Sequence, residues 1–407
     1  MSFLSQISVL EAIKIIEAKA KAPSMQVVDV LESNQRTLFS DLKAKVNHPT
    51  HNDSSIDGYA CIRKNTLEAS EDKPVKLKLV GSSPAGKPFK GKIEENEAIN
   101  IYTGGVVPDC CDALIRVEDT TEKDGFVFLN KPASRSDIRK MGQDFKVGET
   151  VLKKGTVMNS ASVALAVAMG HQKIEVSKKP RIAILSTGNE IKEPGKKLKA
   201  GQVYNSNAYA LRLMAEKAGA EVLVIKNVDD SLEQLKQSIK DAGEVDLILT
   251  TGGVSMGKYD FVRDLLFEHG QVDFWKIAEK PGGPVLFGSW NNTPILGIPG
   301  NPVSAMVVFL IHAKPFIIKA LGSNEAIPFL TREKAIAQTN IKGAGFKMNF
   351  SRITVSNTDP KQAYSTGSQS SGVLHSMFLA DGLAIVPANT NYVKGDGLEY
   401  IPLKPYL

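Results

Sequence analysis

One segment limits the folds open to this chain more than any other: Asp246-Leu-Ile-Leu-Thr-Thr-Gly-Gly-Val-Ser-Met-Gly257. A short apolar run feeds into a polar loop with three glycines. That is the pattern of a buried parallel strand whose following loop lets backbone approach an anion. A second loop of this kind, Gly297-Ile-Pro-Gly-Asn-Pro-Val-Ser304, follows the apolar run beginning at Thr293. In open α/β sheets ligands sit at the carboxyl ends of strands. Two such loops on one sheet predict a pocket for a phosphorylated or oxyanionic ligand.

Strand and helix alternate around these loops. Arg181–Gly188 reads as strand and loop, and Ser206–Gly219 as a helix ending at a C-cap glycine. Glu221–Val228 reads as a strand, Ser231–Ala242 as a helix, Leu247–Thr251 as a strand and Asp260–Phe267 as a helix. A long apolar helix runs from Val303 to about Leu321. The alternation predicts a parallel doubly wound sheet. Residues 57–130 instead carry short alternating runs between Gly and Pro turns, a β-rich pattern that returns from Pro328 onward. Residues 8–21 have helical periodicity with Ser8 and Glu11 as a capping box, and residues 160–169 read as a short Ala-rich helix. The fold class expected is multidomain α/β plus β.

The chain has 407 residues, more than one compact core accommodates, so two to four domains are expected. Lys plus Arg exceeds Asp plus Glu by six, a mild excess that tolerates an anionic substrate but does not argue for nucleic acid, and no nucleic-acid partner is expected. No run is expected to reach the length of a transmembrane helix, so no membrane is expected. The start lacks the basic region of a signal peptide, which predicts a cytoplasmic location. Cys61, Cys110 and Cys111 give no disulfide framework and no zinc spacing, and fit a reducing compartment.

Each polar motif has a plain structural reading beside a chemical one. Asp57-Gly-Tyr-Ala reads first as a turn. Thr103-Gly-Gly ends a strand, as a hairpin turn or as a wall of a ligand site. Gly142-Gln-Asp144 lies among Arg135, Arg139, Lys140 and Lys146, a solvated surface or a carboxylate that positions a substrate or metal. In Ser186-Thr187-Gly188-Asn-Glu190 the loop can donate backbone N–H groups to phosphate, and Glu190 can hold Mg²⁺ through water. Asp229 and Asp230 end a strand, as a cap region or beside a magnesium ion. The loop from Thr250 to Asp260, with Gly252, Gly253 and Ser255, concentrates donors, glycines and a carboxylate, and here the functional reading leads. Lys276 and Lys280, the latter followed by Pro-Gly-Gly-Pro, offer ammonium groups suited to an oxyanion. Arg352 and the Ser365–Gly372 run add a cation and hydroxyls, or form a polar loop. No metalloprotease helix, nucleophile elbow or Walker loop occurs.

Taken in order, these motifs resemble the molybdopterin molybdenumtransferase family, MoeA and the E domain of gephyrin, over essentially the whole chain. The elements are Asp57-Gly-Tyr-Ala, Thr103-Gly, Gly142-Gln-Asp144, Ser186-Thr-Gly-Asn-Glu190, Thr251 to Gly257 with Asp260, Lys280-Pro-Gly, and Pro299-Gly-Asn-Pro-Val-Ser304. The resemblance implies an elongated homodimer with four domains per chain. These would be a discontinuous linker domain (1–46 and 140–178), a β-rich domain (47–139), a MogA-like α/β molybdopterin-binding domain (179–325) and a C-terminal β-barrel (326–407). It implies Mg²⁺-assisted cleavage of adenylylated molybdopterin, release of AMP, and transfer of molybdenum from molybdate to the dithiolene sulfurs. Glu190, Asp230 and Asp260 would organise the metal and pyrophosphate. Lys276, Lys280, Ser304, Arg352 and Ser371 would form or border the molybdate pocket. Thr187, Gly188, Gly252, Gly253 and Ser255 would line the cofactor site, with Pro299, Asn301 and Pro302 shaping its loop. Asp57, Thr103 and Asp144 would come from the partner subunit's face, as would the C-terminal domain. The adenylyltransferase and recipient molybdoenzymes are implied as partners.

One departure matters. The family usually reads Lys-Pro-Gly-Lys-Pro, and Gly283 stands where the second lysine is expected. The loss implies either weaker molybdate binding or a substitute cation, for which Lys258 in the neighbouring loop is a candidate. Two other readings stay open: a scaffold or binding relative without insertase activity, and a CinA-like nucleotide-pyrophosphate cleaving enzyme.

Overall fold

The computed structural model describes residues 4–253 and 260–407. Its largest sheet has seven strands, in the order Leu4–Ile7, Gln271–Ile277, Leu286–Trp290, Thr293–Ile298, Leu247–Thr251, Arg181–Thr187 and Glu221–Val228. The last four pair in parallel, as the strand and helix alternation predicts. The sheet as a whole is mixed, because Leu286–Trp290 runs antiparallel to both neighbours. Asn291 and Asn292 cause this reversal. Both have positive φ, 48° and 62°, which is what a two-residue hairpin turn matching strand twist requires.

Both faces of the sheet are covered. On one face the helices Val9–Ala18, Ser206–Lys217 and the long segment Pro302–Leu321 enclose a core that includes Ile13, Leu211, Phe274, Phe287 and Phe316. On the other, Leu232–Asp241 and the helix from Phe261 pack on Leu185, Ile248 and Ile295. Ser8, Asn205 and Ser231 cap their helices by accepting the N–H three residues on. Two expectations are corrected here. The first strand and helix do not join the linker unit: Leu4–Ile7 pairs in parallel with Gln271–Ile277, and Ile7, Val9, Ala12, Ile13 and Ile16 enter the α/β core. Pro302–Leu321 does reach the length and hydropathy of a membrane span, yet 89% of its most apolar window is buried within the protein, where an all-round apolar helix belongs.

Residues on both sides of the β-rich segment share another core, drawing Val28, Leu38 and Leu42 against Phe145, Met158, Met169, Ile174 and Val176. The β-rich segment is a six-stranded sheet in the order Ala113–Arg116, Gly58–Cys61, Glu97–Ile101, Val75–Ser83, Phe126–Leu129 and Thr120–Lys123. Cys61 and Cys111 are buried in its two cores and Cys110 is exposed, all three as free thiols. Burial pushes the Cys61 thiol up to about 12, so it packs as a small apolar group.

The C-terminal segment closes into a five-stranded barrel. Met348–Val355, Gln362–Ser365, Glu333–Ala337, Gly397–Pro402 and Gly382–Val386 pair in turn, and the last pairs back to the first. A sixth short strand, Glu279–Lys280, reaches over from the α/β region and pairs in parallel with Met348 and Asn349.

Candidate functional site

Three parallel strands, Arg181–Thr187, Leu247–Thr251 and Thr293–Ile298, bring their C-terminal loops to one edge of the sheet. Thr187 and Gly188 follow the first, Gly252 and Gly253 the second, Pro299 and Asn301 the third. The loops touch. Gly252 N–H donates to the Ile298 carbonyl at 3.0 Å, and Thr187 Oγ1 donates to the Thr251 carbonyl at 3.3 Å. Gly252 has φ +89°, and a Cβ there would lie 2.9 Å from the Thr187 carbonyl oxygen. Only glycine allows this close approach.

A polar chain beneath the edge holds the strands in register. Ser186 Oγ donates to Asn205 Oδ1 at 3.1 Å, Asn205 Nδ2 to Asn227 Oδ1 at 2.5 Å, and Asn227 Nδ2 to Glu193 Oε1 at 2.7 Å. Asn205, Asn227 and Glu193 escaped the sequence reading. The one local signal was Asn205 in a helix-capping position.

The expected metal carboxylates sit on the loops of this edge. Asp230 accepts from the Asn189 N–H at 3.4 Å, and Asn189 Oδ1 accepts from the Asp230 N–H at 3.4 Å, which ties the first loop to that of the neighbouring strand. Glu190 folds back on Gly188, where a Cβ would meet its Oε2 at 2.5 Å. Asp260 is buried at the start of the helix from Phe261, and Arg263 N–H returns to the Gly253 carbonyl at 3.4 Å. Among the described residues no three carboxylates, histidines or cysteines converge as a ready metal cage. The donors are hard oxygens, which suit Mg²⁺ completed by water and phosphate. Ser255 and Lys258 lie outside the described residues.

A second group forms where the α/β region meets the barrel of the same chain. The pairing of Glu279–Lys280 with Met348–Asn349 places Lys280 and Asn349 on one face. Val303 N–H donates to the Ser371 carbonyl at 3.1 Å, joining the Pro299–Ser304 loop and helix start to the serine-rich loop. Pro302 opens that helix at its first turn, and buried Ser304 turns its carbonyl toward Gly282. Lys276 has φ +75° and carries its ammonium 4.3 Å from the Trp275 ring centroid. Lys280, Ser304, Arg352 and Ser371 are thus linked within one chain through its own barrel contacts.

Arg352 does not stand in the open as a ligand cation. It is 1% exposed, and burial lowers its pKa. It donates to Ser376 Oγ at 3.1 Å and to the carbonyls of Ser368 and Ser370 at 3.2 and 3.0 Å. Its place is to shape the loop that carries Ser371. Arg352→Met keeps the apolar stem and removes these bonds. It should cost about 2–3 kcal/mol in urea unfolding, because buried acceptors lose a charged donor.

Asp57, Thr103 and Asp144 are elsewhere. Thr103 donates both its N–H (2.7 Å) and its hydroxyl (3.1 Å) to Asp57 Oδ1, so these two motifs form one unit. Asp144 pairs with His48 at 3.1 Å, and the His48 ring stacks on Phe145. Among the described residues no hydrogen bond or ion pair joins these three to Glu190, Asp230 or Asp260.

Comparison with known proteins covers every part of this architecture. Residues 7–170 match the MoeA N-terminal region (domain I and II), residues 183–319 a probable molybdopterin binding domain, and residues 334–403 the MoeA C-terminal region (domain IV). A molybdopterin molybdenumtransferase of Haemophilus influenzae is 34% identical over 83% of each chain. Molybdopterin molybdenumtransferase 2 of Mycobacterium tuberculosis is 31% identical over 93% of this chain and 95% of its own. The crystal structure of a molybdopterin biosynthesis MoeA protein from Pyrococcus horikoshii superposes with a TM-score of 0.82 at 29% identity, covering 98% of this chain and 99% of that one.

Proposed function

We propose a function from one premise: this chain belongs to the MoeA family, whose relatives include the molybdopterin molybdenumtransferases. Its reaction is the insertion of molybdenum from molybdate into adenylylated molybdopterin with release of AMP. The observation that carries this reading is the conjunction of two sites on one chain. One is the glycine loop edge with Glu190, Asp230 and Asp260. The other is the Lys280, Ser304 and Ser371 junction with the barrel.

The loop edge suits a pyrophosphate. Thr187, Gly188, Gly252 and Gly253 let the backbone approach its oxygens closely, with N–H donors drawn from these loops apart from Gly252, whose N–H is held by the Ile298 carbonyl, and with Ser255 expected to add a donor. Mg²⁺, held through Glu190, Asp230 and Asp260 together with water and substrate phosphate, would neutralise charge on the leaving phosphate. Molybdate is a tetrahedral dianion and is met by ammonium groups, hydroxyls and N–H donors. Lys276 and Lys280 supply charge, Ser304 and Ser371 hydroxyls, and Arg352 the loop geometry. Pro299, Asn301 and Pro302 hold the loop between the two sites. A scaffold would require no carboxylate at the pyrophosphate edge, and the matches at both ends of the chain favour this family over a CinA-like enzyme. The working location is the cytoplasm.

The test mixes the protein with adenylylated molybdopterin, Mg²⁺ and molybdate and follows AMP. Molybdate-dependent release supports the reading. Tight pterin binding with no release at any molybdate concentration overturns it in favour of a binding relative.

The working unit is a homodimer in which Asp57, Thr103 and Asp144 serve the partner's loop edge. Asp57→Asn and Asp260→Asn subunits should each be inactive alone. Mixed after dissociation, they should regain roughly a quarter of the parent activity, because half of the dimers then hold one intact site of two. No regain on mixing would place Asp57 in its own chain's site, and an Asp57→Asn protein active alone would place it outside the reaction.

A further inference from the structure

Gly283 is buried, and its surroundings are closed on one side and charged on the other. A Cβ at this position would sit 2.9 Å from the Glu279 carbonyl oxygen and 3.2 Å from that of Ile277. Backbone would have to move to admit a side chain, so the position is built for glycine. The turn is fixed by the Gly283 carbonyl, which accepts from Ile277 N–H at 2.8 Å and Val285 N–H at 2.9 Å. The third atom near that virtual Cβ is the ammonium nitrogen of Lys347, at 3.6 Å.

Lys347 reaches this point from the barrel. It precedes Met348, whose strand pairs with Glu279–Lys280, and the bend behind it is held by Lys347 N–H to the Ala344 carbonyl and Asn389 N–H to the Gly345 carbonyl. Lys280 lies three residues before the same turn, on the strand that pairs with the one Lys347 precedes. Among the described residues neither Lys280 nor Lys347 has a carboxylate within 4.0 Å. Lys347 is half-buried, with the exposed Phe346 ring 5.6 Å from its ammonium. Where two ammonium groups share a site, an anion between them relieves their repulsion. The same turn touches the start of the Pro302–Leu321 helix, since a Cβ on Gly282 would lie 3.8 Å from the Ser304 carbonyl oxygen.

We propose that Lys347 binds the oxyanion substrate at Gly283, contributing with Lys280 a two-lysine clamp. The assignment rests on the proposed insertion of molybdenum and names a specificity residue for it. The glycine makes room for an ammonium that arrives from the barrel, so oxyanion affinity depends on the junction between the two regions.

The experiment titrates molybdate in the AMP-release assay and, separately, measures tungstate binding by calorimetry. Lys347→Ala should raise the half-saturating molybdate concentration and the tungstate Kd by about tenfold or more, the loss expected for a charge-assisted contact. Affinity for adenylylated molybdopterin should not change, and Lys347→Arg should keep most oxyanion affinity. Unchanged oxyanion affinity in Lys347→Ala would overturn the assignment. Tungstate binding that depends on Lys347 without AMP release in the parent would uphold the clamp while refuting the insertion reaction. A parent that binds neither oxyanion would refute both.

Discussion

Asp260→Asn should lower molybdate-dependent AMP release by about 10²–10³-fold, the scale seen when a preorganised charge at a reacting group is removed. The substitution keeps shape and hydrogen-bonding reach while removing the negative charge. Asp260 is 7% exposed and precedes the helix from Phe261, where Arg263 N–H bonds to the Gly253 carbonyl. Affinity for adenylylated molybdopterin should stay within a few-fold of the parent, since the glycine backbone donors are untouched. The discriminating readout is the Mg²⁺ dependence of AMP release at saturating pterin. A loss of rate with no change in Mg²⁺ half-saturation would take Asp260 out of the metal's reach. A rate within threefold of the parent would remove it from the chemistry.

Much of this site was legible because its chemistry is local in sequence. An apolar run followed by glycines, as at Leu247–Gly253 and Thr293–Gly300, marks a buried strand and a loop of close backbone approach. The parallel pairing of those strands follows from the helices between them. The parts that were not legible depend on partners far apart in the chain. Leu4–Ile7 pairs with Gln271–Ile277 across more than 260 residues, and nothing in a four-residue strand names its partner. The antiparallel strand Leu286–Trp290 was signalled only by Asn291-Asn292, a pair that tolerates positive φ but resembles any polar turn. Arg352 showed a cation in the sequence, and its burial among serine carbonyls turned that cation into a loop support. Lys347 looked like one lysine among many until the barrel placed it over Gly283.

Beneath that turn lies a buried pair with a large expected effect on stability. His312 Nε2 stands 2.9 Å from Glu279 Oε2, and both side chains are fully buried. His312 belongs to the π turn Phe309–Ala313 that interrupts the long helix, and Glu279 precedes Lys280 on the strand that reaches the barrel. Glu279 Oε1 and His312 Nδ1 have no further partner among the described residues. Gly282, with φ +105°, lies directly over them: a Cβ there would meet Glu279 Oε1 at 3.1 Å and Val308 Cγ2 at 2.5 Å. A half-satisfied polar pair in an apolar core gives little net stability, yet removing one member strands the other. His312→Leu should therefore destabilise the protein by about 3–5 kcal/mol, because it leaves a buried carboxylate without its partner. Glu279→Leu combined with His312→Leu should recover most of that loss and can exceed the parent, since apolar side chains of similar size suit this core. Chemical denaturation of the parent, both single variants and the double variant closes the cycle. A double variant no more stable than His312→Leu would show that the pair acts through packing alone. If the recovered double variant also keeps parental molybdate affinity, the pair only supports the fold. If it folds as well as the parent but loses that affinity, the pair sets the position of the Lys280 turn.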